Sequence, residues 1–414
     1  MLAFTFPGQG SQRAGMGASW EHHPSFELVE LASDVTGHDV AALLLRADPE
    51  TLRRTDNAQL ATFVLSLVVL DAAERVGLEP AALAGHSLGE YSALVAAGAL
   101  DFEDGLRLVA ERGAAMHQAA QDAPGTMAAV LGLDEDTVES ACLRAEGDVW
   151  VANYNAPGQV VIAGTHDAVA EAGRIVKELG GKKVLPIAVE GAFHTPLMAP
   201  ARDRLRKALG EVSFRRPEPA VIANVDARAH AGAHEWQRLL SAQLCSPVRW
   251  RHTLEALLAA GANTIVEVGP GRVLTGLARR VVPAADTIAV SVSTPDDLDT
   301  LIEMLAGHSP GMQAAADARA GERFHISERL ILSPATGLFE PDASVTSLVP
   351  GSPASRRHAV RVEVGGLIGR VGSSEVRSAF EGSLEGVLVL PGERVASGQP
   401  VAWLRAAIAG VLAK

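Results

Sequence analysis

The sequence is short of cysteine, aromatic side chains and positive charge, and each shortage excludes a class of protein. Its two cysteines, Cys142 and Cys245, lie far apart without CxxC spacing, so we predict reduced, buried thiols. Aromatic residues make up 4% of the chain and the net charge is −13, which predicts an aliphatic core and argues against nucleic-acid binding. The 13 histidines show no HExxH or ligand-spaced cluster, so no metal site is expected.

Long apolar segments are also missing. We find no apolar run long enough to span a bilayer, and the apolar N-terminus ends at Phe6, before Pro7 and Gly8, which is too short for a signal peptide. We therefore expect a cytoplasmic protein without a membrane partner. The 414 residues, 48% hydrophobic and 21% charged, are typical of a soluble protein with roughly two to three domains.

Residues 85–89, GHSLG, are the stretch most informative about function. A short apolar segment at 80–84 predicts a buried parallel strand before them, and residues 91–97 predict an apolar helix that Gly98 ends. Gly-x-Ser-x-Gly between a strand and a helix is typical of a nucleophile elbow, which holds the serine oxygen clear of the sheet. We identify Ser87 as a candidate nucleophile and the N–H of Leu88 as a candidate oxyanion donor.

A chance match is the alternative in a chain with 40 glycines, and residues 307–311, GHSPG, provide one. They follow a helical run at 298–306 and have no strand before them. Pro310 also takes the position whose N–H should face the oxyanion, and proline has no N–H. We therefore exclude Ser309.

The N-terminal strand, predicted over residues 2–6, leads into a glycine-lined loop at 7–12, PGQGSQ. A Rossmann fingerprint would need glycine at Arg13, and a P-loop would end in Gly-Lys-Ser/Thr, so neither nucleotide motif fits. The loop follows the C-terminal end of a strand, where active sites of parallel sheets gather, and the Gln9 N–H could be a second oxyanion donor. A plain tight turn accounts equally well for the spacing.

Residues 126–189 alternate in the order βαββαβ, which matches the ferredoxin-like split motif and predicts a small insert within a larger fold. A helix is expected from Asp101 to about Gly113. Buried parallel strands are expected at 220–224 and 263–268, and the second ends in Gly-Pro-Gly without a third glycine, so no cofactor is assigned there.

His194 follows the insert and precedes an apolar helix. A histidine in that place is more often ordinary than catalytic. However, an α/β-hydrolase-like site has its serine before its histidine in the chain, and Ser87 needs a base.

Six sequence blocks occur in order over residues 1–306: PGQGSQ at 7–12, GHSLGE at 85–90, ERG at 111–113, NAPGQ at 155–159, GAFH at 191–194 and EVGPG at 267–271. Together they resemble the malonyl-CoA:acyl-carrier-protein transacylase family. The functional residues that the resemblance implies are Ser87 as the acylated nucleophile, His194 as the base, Gln9 and Leu88 as the oxyanion hole, Arg112 as the malonyl carboxylate ligand, Gln243 as a group that orients the histidine, and Asn155 in support.

The same resemblance implies malonyl-CoA and holo-acyl carrier protein as partners, in fatty acid or polyketide synthesis. The Ala-Phe-His form at 192–194 resembles malonyl-selective relatives more than methylmalonyl-selective ones. No sequence signal marks a third triad acid. A serine–histidine pair oriented by backbone or amide groups would suffice for an activated thioester.

The C-terminal part departs from that family. Residues 330–337 and 379–389 resemble two halves of a flattened β-barrel, and 391–401 resemble the closing segment of biotinyl or lipoyl carrier domains. The hairpin of a carrier presents a lysine. The turn here is VGSS at 371–374, and no lysine occurs between Lys207 and Lys414, so no biotin or lipoyl group is expected.

The predicted fold is α/β, with a C-terminal β domain. We assign an α/β-hydrolase-like parallel-sheet core to 1–125 and 190–306, a ferredoxin-like insert to 126–189, a linker to 307–325, a degenerate biotinyl/lipoyl-like β-barrel to 326–406 and a tail to 407–414. The predicted function is malonyl transfer through a malonyl-serine.

Two alternatives remain open. One is a recruiting or docking protein that mimics a carrier and binds another component of a biosynthetic assembly. The other is a thioesterase that uses the same serine and histidine.

Overall fold

The computed structural model describes residues 1–282, 287–306, 328–348 and 360–406. Contacts divide the chain into two compact units, Met1–Leu70 with Pro80–Leu298 and Asp71–Glu79 with Asp299–Lys414. The core and the 126–189 insert share one unit, and residues 71–79 group with the C-terminal part. The predicted linker at 307–325, Ser309 and the tail at 407–414 lie outside the described residues.

The first unit has ten strands among its described residues. In chain order they are β1 (Leu2–Phe6), β2 (Ala82–Gly85), β3 (Thr126–Leu131), β4 (Val149–Ala156), β5 (Gln159–Gly164), β6 (Lys183–Ile187), β7 (Val221–Ile222), β8 (Ala229–His230), β9 (Thr264–Val268) and β10 (Ile288–Val292). Six of them form a sheet in the order β10-β9-β1-β2-β7-β8, in which only the pairing of β7 with β8 is antiparallel. The carboxyl ends of the parallel strands therefore meet at one edge, where sites of such sheets form.

Thirteen α-helices lie in the described parts of residues 1–306. They are α1 (Glu27–Thr36), α2 (Val40–Leu45), α3 (Pro49–Arg53), α4 (Thr55–Arg75), α5 (Gly89–Ala96), α6 (Phe102–Asp122), α7 (Glu135–Arg144), α8 (His166–Glu178), α9 (Ala199–Glu211), α10 (Trp236–Gln243), α11 (Trp250–Ala259), α12 (Val273–Val281) and α13 (Pro295–Ala306).

Two of these helices correct the sequence analysis. By length and composition, α4 is long and apolar enough to cross a membrane, although the sequence analysis expected no such segment. In its most apolar 18-residue stretch, 83% is buried inside the protein, as in a core helix. α6 continues past Gly113, where an end was expected. A Cβ at Gly113 would lie 2.8 Å from the Asp56 Cα, so this glycine permits close packing and does not stop the helix.

The insert has the predicted alternation of strands and helices, from β3 through α7, β4, β5 and α8 to β6. Its strands pair antiparallel in the order β4-β5-β3-β6 around a separate apolar cluster that includes Val130, Val138 and Ile162. The Tyr154 N–H donates to the Val248 carbonyl at 2.9 Å, so backbone hydrogen bonds join the insert to the rest of the first unit.

The second unit has eight strands among its described residues. They are β11 (Glu328–Leu332), β12 (Gly337–Pro341), β13 (Val360–Val362), β14 (Leu367–Val371), β15 (Ser374–Arg377), β16 (Gly382–Val387), β17 (Arg394–Val395) and β18 (Pro400–Ala406). They form two antiparallel sheets, β11-β18-β16-β13 and β15-β14-β12-β17.

One buried apolar cluster draws on both sheets, with Ile331 and Leu384 from the first and Phe339 and Ile368 from the second. The two sheets therefore share one core. The sequence VGSS at 371–374 forms the turn between β14 and β15, and Gly372 has a φ of 62° there.

Candidate active site

Ser87 lies at a sharp turn between β2 and α5. Its φ is 53°, a left-handed conformation that costs about 1–3 kcal/mol for a residue other than glycine. A Cβ at Gly85 would lie 1.9 Å from the Gly89 carbonyl carbon, and one at Gly89 would lie 2.0 Å from the Phe6 carbonyl oxygen. The two glycines of the motif are therefore required by close backbone contacts, which is what a nucleophile elbow needs.

Asn224, just after β7, holds this turn in place. The Ser87 N–H donates to Asn224 Oδ1 at 2.7 Å, and Asn224 Nδ2 donates to the Gly85 carbonyl at 2.7 Å. Asn224 is fully buried, so both bonds are shielded from water. The sequence analysis missed this residue and treated it as the end of a strand; its signal was a polar side chain at the carboxyl end of a buried strand.

His194 is in position to act as the base. Its Nε2 lies 2.8 Å from Ser87 Oγ, and its Nδ1 lies 2.9 Å from the Gln243 carbonyl oxygen. A carbonyl can only accept, so the proton is on Nδ1 and the lone pair of Nε2 faces the serine hydroxyl. Burial, helped by the charge of Arg112, lowers the pKa of His194 to about 3, which keeps the imidazole neutral.

Arg112 is buried beside the nucleophile. Its Nη2 donates to Ser87 Oγ at 3.0 Å and to Gln243 Oε1 at 2.9 Å, and its Nη1 donates to Gln59 Oε1 at 2.6 Å. In the described part of the chain no carboxylate contacts this guanidinium, and its buried Nε has no hydrogen-bond partner. Its guanidinium carbon also lies 5.6 Å from the centre of the Tyr91 ring. A buried arginine whose hydrogen-bond partners are all neutral leaves its charge available to an anionic ligand.

Gln243 therefore does more than the sequence predicted. Its backbone carbonyl orients His194, as expected, and its side-chain oxygen also accepts from Arg112. Gln59, on α4, is a second amide that the sequence analysis missed. Its Nε2 is directed to the Met116 sulfur at 3.3 Å, which leaves its Oε1 facing Arg112.

Gln9 and Leu88 both lie close to Ser87 in the chain or in space. Leu88 directly precedes α5. Gly8 approaches the elbow so closely that a Cβ there would be 2.6 Å from the His86 carbonyl oxygen, and this contact places Gln9 beside the turn. The described residues provide no acceptor for the N–H of Gln9 or of Leu88, so both donors are available to an oxyanion.

Asn155, on β4, contacts the residue before the nucleophile and not Ser87 itself. Its Oδ1 lies 3.0 Å from His86 Nε2. Burial lowers the pKa of His86, so the neutral ring donates its Nε2 proton to Asn155. Asn155 thus supports the elbow from the insert.

The site combines a serine hydroxyl, a neutral imidazole in hydrogen-bond contact with it and a buried cation. This combination suits nucleophilic transfer of an acyl group that carries a negative charge. Nothing in the geometry provides a cradle for a metal ion: within the described residues no three His, Cys, Asp or Glu side chains come together.

Comparison with known proteins matches residues 3–299 to the family model described as an acyl transferase domain. The chain is 41% identical over 310 residues to the malonyl CoA-acyl carrier protein transacylase of Haemophilus influenzae. The aligned residues cover 73% of this chain and 99% of that protein. It is 40% identical over 309 residues to the transacylase of the same name from Bacillus subtilis, and the aligned residues cover 73% of this chain and 97% of that protein.

Solved structures agree with these relatives. An acyl carrier protein S-malonyltransferase from Vibrio cholerae matches with a TM-score of 0.69 and 42% identity, over 72% of this chain and 99% of that one. A malonyl-transacylase solved in complex with a holo type II PKS acyl-carrier protein matches with a TM-score of 0.70 and 39% identity, over 73% and 99%.

The low pKa of His194 predicts an unusual pH profile for the reactivity of Ser87. A histidine of pKa near 6.5 would lose its base form about tenfold between pH 7.5 and pH 5.5. Because His194 stays neutral over this range, the rate at which a fluorophosphonate probe labels Ser87 should change by less than about twofold. Labelling rates of the full chain at several pH values measure this directly.

Arg112→Gln is the informative variant for that profile. The charge of Arg112 is the second cause of the lowered His194 pKa, after burial, so its removal should move the acid limb of the labelling profile to higher pH. Ser87→Ala lacks the labelled hydroxyl and measures the background labelling of the rest of the chain. A tenfold fall for the unmodified chain between pH 7.5 and pH 5.5 would contradict a neutral His194.

Proposed function

The chain belongs to the acyl transferase family, among the malonyl CoA-acyl carrier protein transacylases, and from this membership we propose that Ser87 carries a malonyl group from coenzyme A to an acyl carrier protein. The protein is an S-malonyltransferase of fatty acid or polyketide synthesis. Its partners are malonyl-CoA and the phosphopantetheine thiol of a holo-acyl carrier protein.

One observation connects the substrate class to this site: Arg112 Nη2 lies 3.0 Å from the nucleophile and has no carboxylate partner among the described residues. An acyl group attached to Ser87 that ends in a carboxylate brings the missing anion to the guanidinium. The fork geometry of arginine favours two parallel bonds to a carboxylate. An acetyl group offers no such contact, so Arg112 favours malonyl.

The transfer proceeds in two half-reactions that share one geometry. Ser87 Oγ attacks the thioester carbonyl while its proton passes to His194 Nε2, and the N–H groups of Gln9 and Leu88 bind the oxyanion. Collapse breaks the carbon–sulfur bond, and His194 returns the proton to the coenzyme A thiolate. The carrier thiol then gives its proton to His194 and attacks the malonyl-serine ester. The bond between the acyl carbon and Ser87 Oγ breaks, and His194 returns the proton to the serine oxygen.

The finer architecture belongs to the same proposal. The first unit is an α/β-hydrolase-like core with a ferredoxin-like insert. The two four-stranded sheets of the second unit are a degenerate biotinyl/lipoyl-like domain. Its β14–β15 turn has Gly372 and Ser373 where a carrier has its lysine, so no prosthetic group is attached. We assign this domain to docking within an acyl-processing assembly and the protein to the cytoplasm.

The decisive test is formation of the malonyl-enzyme. After incubation of the full chain with malonyl-CoA, intact mass should rise by one malonyl group, mapped to Ser87, and holo-acyl carrier protein should remove it. Ser87→Ala should not be labelled, because the chain then lacks the nucleophile. Loss of the adduct to water at a similar rate without any carrier would indicate a thioesterase, and no adduct at all would refute the proposal.

Selectivity tests the role of Arg112. Arg112→Ala removes a charged hydrogen bond to the malonyl carboxylate, so malonyl transfer should weaken by about 1.5–3 kcal/mol, or about 10- to 150-fold. Acetyl transfer should fall far less, since acetyl lacks that carboxylate. The measurement is kcat/KM with both thioesters, and equal losses would mean that Arg112 only supports the fold.

Truncation tests the second unit. All proposed site residues lie in the first unit, so a chain that ends at Ala306 should form malonyl-Ser87 within about twofold of the full-length rate. Transfer to the carrier and the melting temperature are then compared. Slower transfer with unchanged acylation supports docking. A lower melting temperature with unchanged transfer supports a stabilising role of the second unit. Loss of acylation contradicts an independent active site in the first unit.

A further inference from the structure

Glu90 is a buried acid next to the active site that the proposed mechanism does not use. It lies three residues after Ser87 in the first turn of α5 and is 1% exposed. A buried carboxylate is costly unless donors surround it. Its Oε1 accepts from the Asn224 N–H at 2.7 Å and its Oε2 accepts from Gln243 Nε2.

No cation contacts Glu90 in the described part of the chain. Burial raises its pKa to about 7, while the donors of Asn224 and Gln243 and the nearby charge of Arg112 act in the opposite direction. An acid kept in this position without an ion pair does not serve as an ordinary salt bridge. Its two hydrogen-bond partners indicate what it does.

The first partner, Gln243, needs its side-chain amide in one orientation. Its oxygen accepts from Arg112, and its nitrogen donates to the Ser87 carbonyl at 2.9 Å and to Glu90. A rotated amide would turn NH₂ toward the guanidinium, which only donates. In its ionised form Glu90 only accepts, so it holds the nitrogen on its own side and the oxygen toward Arg112.

The second partner, Asn224, is the residue that fixes the elbow. The Glu90 carboxylate accepts from the backbone N–H of Asn224, and the side chain of Asn224 accepts from the Ser87 N–H. The same carboxylate thus connects the support of the nucleophile with the support of the guanidinium.

We propose that Glu90 is a positioning residue, which fixes the amide of Gln243 and thereby directs Arg112 toward the carboxylate of the acyl group on Ser87. This inference rests on the proposed malonyl transfer and adds a determinant of its specificity. Glu90 does not touch the substrate; it acts through Gln243.

Glu267 provides a matched control within the same unit. It is also 1% exposed, and burial also raises its pKa. Its carboxylate accepts from the N–H groups of Leu274 and Thr275 and from Thr275 Oγ1, at the start of α12. None of these partners contacts Ser87, His194 or Arg112, so Glu267 represents a buried acid with a structural role.

The test compares Glu90→Gln with Glu267→Gln in the full chain. The amide of Glu90→Gln keeps the shape but places a donor against the N–H of Asn224 or the Nε2 of Gln243. We expect the ratio of malonyl to acetyl kcat/KM to fall about tenfold or more, as misplacement of a substrate-binding group does. Glu267→Gln should lower the melting temperature and leave this ratio unchanged.

Three further variants sharpen the result. Glu90→Asp keeps an acceptor-only group and should retain more of the ratio than Glu90→Gln. Glu90→Met fills the volume without a new donor and should also lower the ratio, which preserves the test if Glu90→Gln does not fold. If Glu90 acts through Gln243, adding Glu90→Gln to Gln243→Ala should lower the ratio no further than Gln243→Ala alone.

The inference is overturned by a folded Glu90→Gln or Glu90→Met whose malonyl-to-acetyl ratio equals that of the unmodified chain, whether both activities are retained or both fall equally. Either would leave Glu90 as a purely structural acid. Failure of the proposed function looks different, because the unmodified chain would then form no malonyl-Ser87 and there would be no ratio to compare.

Discussion

The buried charge of Arg112 is the constraint on which the rest of the site depends. A guanidinium removed from water needs an anion or a full set of acceptors, and this one has two amide oxygens and a serine hydroxyl. The cost of the missing anion must be met by packing and hydrogen bonds elsewhere in the unit. Under the proposed function a substrate carboxylate offsets that cost, which favours an acyl group that carries one.

Backbone strain is concentrated at the two reacting side chains. Ser87 and His194 both have positive φ, at 53° and 61°, in a chain that otherwise uses glycine for nearly all such positions among its described residues. Each such residue costs about 1–3 kcal/mol and persists only where its surroundings fix it. Asn224 fixes the serine and the carbonyl of Gln243 fixes the histidine ring, so the strained pair meets at 2.8 Å.

The sequence predicted the parts of the site that local pattern determines. The elbow could be predicted from the sequence because close contacts restrict positions 85 and 89 to glycine. The turn at 371–374 could be predicted because its glycine has a positive φ. The only sequence signal of Asn224 was a polar side chain at the end of a buried strand, and Gln59 had none. The roles of both depend on strands and helices that meet only in the fold. The helical Gly113 was misread as an end for the same reason: its neighbour Asp56 is distant in sequence.

The absence of a third acid from the triad follows from the same constraint. His194 Nδ1 donates to a backbone carbonyl, and the residue that provides this carbonyl also contacts Arg112 through its side chain. A carboxylate in that place would put a negative charge beside Gln243, which also contacts Arg112. The carbonyl orients the imidazole with a dipole instead of a charge, which under the proposed function suffices for a thioester and leaves the guanidinium to the substrate carboxylate.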